Sequence, residues 1–222
     1  MGVYLYPNNT ETELKNAYIG EVWTPWANTI AYYPLSSDFN DASGNGYNLT
    51  NNWAVIQTKA WVECAYFDWS SYATNSSVQN WTTRTLCAWV YIELSKTQDM
   101  WLICTWNTGD SFVGIWINQW KWYITDWWVH NENGTISVLN GWHLIWGVIT
   151  NWWNMVLYTD GVQNASYTYS RQSWTSITLW ARTWSWSEKL TWWMSRVIVE
   201  NEWWTQQDFQ DYYNLTKSNY WL

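Results

Sequence analysis

The sequence predicts an all-β protein, a two-sheet antiparallel jelly-roll sandwich with one short C-terminal helix. Three observations carry this expectation. Short runs rich in β-branched and aromatic residues recur along most of the 222 residues. Clusters of Asp, Asn, Ser and Gly separate those runs, and a single segment near the C-terminus carries a helical pattern. A chain of this length buries enough surface to fold as one sandwich without disulfides or metals.

Residues 1–27 are polar and irregular, with Pro7 and Pro25, and are expected to form an attachment arm ahead of a jelly-roll domain over 28–222. The first strand is expected over Thr29 to Leu35, closed by Pro34. Ser36 to Gly46 (SSDFNDASGNG) then reads as a loop. Further strands are expected at Val62–Phe67, Thr85–Leu94, Trp101–Thr105, Phe112–Asn118 and Lys121–Thr125. Others follow at Trp142–Thr150, Met155–Thr159, Ala165–Tyr169, Ser176–Ala181 and Met194–Glu200. Asp160-Gly161, between two of these, is a tight-hairpin signal. The helix is expected to start at Thr205 as N-cap and to place Phe209, Tyr212 and Tyr213 on one side.

Charged residues make up only 13% of the chain and the net charge is −8. Nucleic acid and anionic membranes require a basic face, so neither is an expected partner, whereas a neutral polar ligand such as a glycan is compatible. No run approaches the roughly 18 apolar residues of a membrane span, so no membrane insertion is expected. Met1 to Lys15 has neither the basic nor the apolar region of a secretory signal. The expectation is a mature fragment, or export by another route such as assembly into a virion followed by lysis. Cys64, Cys87 and Cys104 each sit in an apolar run without CxxC spacing, and are expected to be buried free thiols.

The chain holds 27 Trp and only 10 Gly, where about 7% Gly is usual. A turn-rich β protein needs glycine for positive φ, yet Trp stands in turn-like surroundings such as Phe67-Asp68-Trp69-Ser70 and Thr183-Trp184-Ser185-Trp186-Ser187. One reading is that many of these codons are UGA and encode glycine in the source organism. The other is a tryptophan-rich surface, such as a platform for stacking sugars. Trp89, Trp142 and Trp204 occupy apolar-periodic or anchor positions and read as genuine tryptophan.

Several segments in order resemble the laminin-G-like and concanavalin A-like jelly rolls of bacterial surface and phage virion proteins. Ile30-Ala31-Tyr32-Tyr33-Pro34-Leu35 followed by Asp41-Ala42-Ser43-Gly44-Asn45-Gly46 is similar to the family's first strand and its D-x-S-G-N-G loop. Leu86-Cys87-Ala88-Trp89-Val90 resembles the central strand, Gly141-Trp142-His143-Leu144 the W-H strand, and Leu157-Tyr158-Thr159-Asp160-Gly161 the L-Y-x-D-G hairpin. Ile177-Thr178-Leu179-Trp180, Trp192-Trp193-Met194-Ser195-Arg196-Val197 and the terminal Trp204 to Asn214 resemble later elements. The sequence departs from the family at its glycine positions, where Trp69, Trp180 and Trp192 or Trp193 stand.

The resemblance implies a recognition domain. Glucanases of this fold carry an E-x-D-x-x-E strand, and nothing here has that spacing; no G-x-S-x-G elbow or nucleotide fingerprint occurs either. The chain is therefore read as non-catalytic. Trp122, Tyr123, Asp126, His130 and Asn131 form the best candidate glycan cluster, an aromatic ring beside hydroxyl-fixing polar groups, with core aromatics plus a solvated loop as the alternative. His143 is expected to be structural. Asp38, Asn40, Asp41 and Asn45 could offer calcium some of the six to eight or so hard oxygens it takes, but Asx residues also close turns through their own backbone. No other cofactor is expected. Seven N-x-S/T triplets, including Asn75 and Asn164, read as incidental. The expected role is glycan binding or adhesion on a phage virion or bacterial surface, outside the cell, with residues 1–27 contacting other virion or surface proteins. The alternative is structural decoration of a lattice without glycan binding.

Overall fold

The computed structural model describes residues 28–68, 70–78, 83–93, 100–106, 112–118, 121–126, 131–150, 155–167, 176–180, 191–202, 204–220 and 222. The expected arm, residues 1–27, lies outside them. Fifteen strands are described: β1 Thr29–Tyr33, β2 Thr50–Asn52, β3 Val55–Lys59, β4 Val62–Asp68, β5 Tyr72–Asn75, β6 Thr83–Ile92, β7 Met100–Trp106 and β8 Phe112–Asn118, then β9 Lys121–Asp126, β10 Asn131–Ser137, β11 Gly141–Thr150, β12 Met155–Thr159, β13 Val162–Tyr167, β14 Ser176–Trp180 and β15 Thr191–Glu200. Helix α1, Gln206–Thr216, and a 3-10 turn, Lys217–Tyr220, close the chain. Among the described residues no helix is long and apolar enough to cross a membrane.

The strands form two antiparallel sheets, as the sequence predicts. One has eight strands in the order β13-β12-β11-β6-β15-β4-β3, with β1 also on β15. The other has seven, in the order β10-β9-β8-β7-β14-β5-β2. β15 serves two partners along one edge: Thr191–Met194 pair with β4, and Val197–Glu200 with β1. The irregularity between these halves falls at Arg196, whose φ is +51° and whose N–H donates to the Pro34 carbonyl at 3.2 Å.

Side-chain alternation sorts the core into two layers. Between the sheets lie Phe67, Leu86, Ala88, Val90, Ile103, Ile115, Ile117, Ile124, Ile145 and Met194, all fully or nearly fully buried. The two sheets pack tightly at Gly147, where an added Cβ would meet Ile124 Cδ1 at 3.3 Å and Ile115 Cδ1 at 3.4 Å. On the far side of the eight-stranded sheet, Trp89, Trp142, Leu144, Trp146 and Val148 form a second apolar layer. Helix α1 covers it. Thr205 caps the helix with a reciprocal Asp208 capping box, and Phe209 lies 3.5 Å from the Trp146 ring centroid. Tyr212 packs on Trp204, while Tyr213 and Tyr220 stack on Trp89. The sequence therefore places both the helix and its buried face correctly.

Four strands escaped sequence reading: β2, β3, β5 and β10. β10 (NENGTIS) occupies part of what the sequence suggests is a polar loop. Its edge is pinned to the other sheet by Asn164, which is buried. The Asn164 Oδ1 accepts the Ile136 N–H at 2.8 Å, and its Nδ2 donates to Thr159 Oγ1 at 3.0 Å.

The glycine expectation divides in the structure. Asp160-Gly161 forms the anticipated turn, with φ of +51° and +80°. Ala60-Trp61 joins β3 to β4 with the same sense, at +47° and +67°, and the Trp61 ring is 84% exposed. Trp53, between β2 and β3, has φ +66° and is 78% exposed. A bulky residue at positive φ with its ring in solvent is strained and buries almost nothing. Trp192 differs: it is fully buried and stacks on Phe67 at 5.2 Å. Trp180 is described only as the last residue of β14, and Trp69 lies outside the described residues.

Cys64 and Cys87 are buried free thiols, as expected, and burial pushes the Cys64 thiol up to about 12. Of Cys104 only its place in β7 is described.

Candidate functional site

Helix α1 packs on the eight-stranded sheet, and among the described residues no helix lies over the outer face of the seven-stranded one. That face is built by the same alternation that fills the core. In β8, Ile115 and Ile117 point inward, so Trp116 turns outward. In β9, Trp122 and Ile124 point inward, so Tyr123 turns outward. Trp116 and Tyr123 are register partners, with ring centroids 4.8 Å apart. Trp116 is largely covered, whereas Tyr123 is half-buried.

One register row runs beside these rings. The backbone register aligns Thr125, Gly114, Cys104, Thr178, Thr74 and Thr50 across β9, β8, β7, β14, β5 and β2. Gly114, two residues from Trp116 on the same face, contributes no side chain. The Thr74 and Thr178 hydroxyls lie 2.9 Å apart, and Thr74 Oγ1 also reaches the Ile177 carbonyl at 3.1 Å. Tyr72, in the next row of β5 and opposite Asn52, is exposed. Rings for an apolar face and hydroxyls for directed hydrogen bonds are thus set on one rigid surface.

The predicted glycan cluster is only partly brought together. Tyr123 is on this face. Trp122 is corrected: its ring is fully buried between the sheets, edge-on to His143 at 5.7 Å, and no sugar can stack on it. Asp126 ends β9. Asn131 belongs to β10 rather than to a loop, as the register partner of Thr125. His130 lies outside the described residues. Sequence reading missed Trp116, Tyr72, Thr74 and Thr178.

The four candidate calcium ligands do not converge on an open site. Both Asp41 oxygens are engaged: Oδ1 accepts the Tyr32 and Ser43 N–H groups, and Oδ2 accepts the Tyr47 N–H and the Ser43 hydroxyl. The Asp38 oxygens accept the Asn40 N–H and its side-chain amide. The Asn45 Nδ2 donates to the Thr29 and Ile30 carbonyls. This donor set closes the loop and ties it to β1, so the residues do not fit a calcium cage. Among the described residues no group of three His, Cys, Asp or Glu could hold a metal.

Two buried titratable groups are held structurally. His143 Nδ1 lies 2.7 Å from Asp160 Oδ2, and its Nε2 lies 3.0 Å from the Leu139 carbonyl. Asp160 also accepts the Leu144 N–H, so this contact fastens the β12–β13 turn to β11. Glu200 is 1% exposed and accepts a 2.6 Å hydrogen bond from Thr29 Oγ1. Burial pushes its carboxyl up to about 8, with the neighbouring Glu202 charge adding to the rise and the Thr29 hydrogen bond opposing it.

No protein-family model matches the sequence, and no curated protein is similar to it. Among solved structures, the binding domain of Paraclostridial Mosquitocidal Protein 1 aligns with a TM-score of 0.70 at 13% identity, over 84% of this chain and 52% of that one. A botulinum neurotoxin type C structure, described with two ganglioside molecules in cell entry, aligns with a TM-score of 0.67 at 12% identity, over 84% and 51%. The binding domain of botulinum neurotoxin DC in complex with SialylT gives a TM-score of 0.67 at 12% identity, over 85% and 51%. The chain spans about half the length of these solved chains. At such identity the likeness establishes the β-sandwich fold that they share.

Proposed function

We propose that this chain is a non-catalytic recognition module that binds a glycan on the outer face of the seven-stranded sheet. The observation that carries the reading is the composition of that face: the half-buried Tyr123 ring beside Trp116 and, three and four strands along the same face, the paired hydroxyls of Thr178 and Thr74. A ring stacks on the apolar face of a sugar while hydroxyls fix its orientation. The net charge of −8 favours a neutral polymer over nucleic acid. The likeness to domains described with gangliosides and SialylT supports the ligand class.

The setting that fits such a module is extracellular, on a phage virion or a bacterial surface, with residues 1–27 joining it to a larger assembly. Calcium has no part in this binding. Trp53 and Trp61 are read as glycine in the native polypeptide, encoded by UGA; their positive φ and exposed rings support this. The test is a panel of neutral and sialylated oligosaccharides presented to the full chain, with Tyr123→Ala and Trp61→Gly compared. Saturable binding that is lost in Y123A and kept in W61G is the expected result. Absence of binding to every glycan would overturn the reading in favour of a decorating role.

A further inference from the structure

The outer face of the eight-stranded sheet carries a second constellation, at the end that helix α1 leaves open. The register aligns Val55, Tyr66, Trp193, Tyr91 and Trp142 in one row across β3, β4, β15, β6 and β11. Trp142 is closed off by Tyr220, at 5.0 Å between centroids, while Tyr66 and Tyr91 stay half-exposed. Tyr91 and Trp193 meet edge to face, with centroids 5.7 Å apart and planes at 89°. Lys59, the last residue of β3, reaches into this corner. Its Nζ lies 3.8 Å from the Trp193 centroid and 4.7 Å from that of Tyr91, and it pairs with the Glu93 carboxylate.

Two ring faces at right angles and one carboxylate therefore surround a single ammonium. We propose that this corner is a binding site for a quaternary ammonium group of the choline type, and that Lys59 occupies it in the free protein. A lysine ammonium is compact and strongly hydrated, so holding it against rings forfeits good water contacts. A quaternary ammonium is poorly hydrated and gains more from the same ring faces. Displacing Lys59 gives up its ring contacts and its pair with Glu93 but leaves the strand pairing in place, because Lys59 ends an edge strand. The Ala60-Trp61 turn that follows it is already strained by two positive φ values. The site lies on the opposite side of the sandwich from the Tyr123 face and stands independently of the glycan reading.

The test uses saturation-transfer NMR on the full chain with tetramethylammonium and choline, at ionic strength matched with sodium chloride. Lys59→Ala should bind roughly tenfold more tightly than the unmodified chain, because the internal competitor is gone. Glu93→Gln in that background should weaken binding by a similar factor. Circular dichroism checks that each variant is folded. Cosedimentation with phosphatidylcholine vesicles separates the sources: retention means the group is recognised on a lipid, and free choline binding without retention means a small molecule. Folded K59A that shows no transfer to either cation overturns the proposal. Tandem mass spectrometry that reads glycine at position 193 also overturns it, since the corner then loses its larger wall.

Discussion

Consider the turn Ala60-Trp61, which reproduces the backbone sense of Asp160-Gly161 without a glycine. In the left-handed region an L side chain costs about 1–2 kcal/mol per residue, and glycine costs nothing. Glycine in turn loses about 0.4–1 kcal/mol through the greater freedom of its unfolded chain. The Trp61 ring is 84% exposed, so its removal forfeits little burial. Trp61→Gly should therefore stabilise the protein by about 0.5–1 kcal/mol, a rise of a few degrees in Tm for a chain of this size. Trp61→Ala removes the same ring and keeps the strain, so it should be close to neutral. Urea denaturation of both variants checks the pair, with equal slopes required. If W61G proves less stable than W61A, the positive φ is not what sets the preference at this position, and the glycine reading of Trp53 and Trp61 fails with it.

Other outcomes follow from the buried polar groups. The Glu200 carboxyl is raised to about 8 when folded and returns to the ordinary carboxylate range when unfolded. The folded state then holds a proton that the unfolded state has released, so stability should fall as pH rises from about 4.5 to about 8 and level off above that. Glu200→Gln should flatten this dependence and be the more stable form at pH 9, as thermal melts across pH would read. Asn164→Ala removes the bracket between β10 and β13 and leaves the Ile136 N–H without its acceptor. It should cost about 1–3 kcal/mol by urea denaturation, with faster hydrogen exchange concentrated in β10. Phe209→Ala should cost about 3–5 kcal/mol by stripping the helix from Trp146, and a loss below 1 kcal/mol would place α1 outside the cooperative unit.

Much of the fold was legible because its signals are local. β6 and β11 announce themselves by alternation, the Asp160-Gly161 hairpin by its turn chemistry, and α1 by a capping residue followed by spaced aromatics. β3, β5 and β10 were not legible, because short polar edge and near-edge strands owe their form to neighbours and not to their own pattern. At the site, Trp122 could have been placed correctly: it shares parity with Ile124 in β9, so a core Ile124 puts Trp122 in the core and Tyr123 on the outside. The Thr74–Thr178 pair could not, because residues 104 positions apart meet only through strand pairing. The candidate calcium loop shows the same limit from the other side. Its Asx content was visible, but the Asp41 hydrogen bonds that consume it appear only once the loop is folded against β1.

The most direct test of the account is isothermal titration of the full chain with a glycan selected from the panel, repeated for Tyr123→Ala and for Tyr91→Ala. The two variants remove aromatic rings from opposite faces of the sandwich. Binding abolished in Y123A and unchanged in Y91A is the result expected from a glycan site on the seven-stranded sheet. Unchanged binding in Y123A would contradict it, and loss in Y91A alone would move the site to the other face.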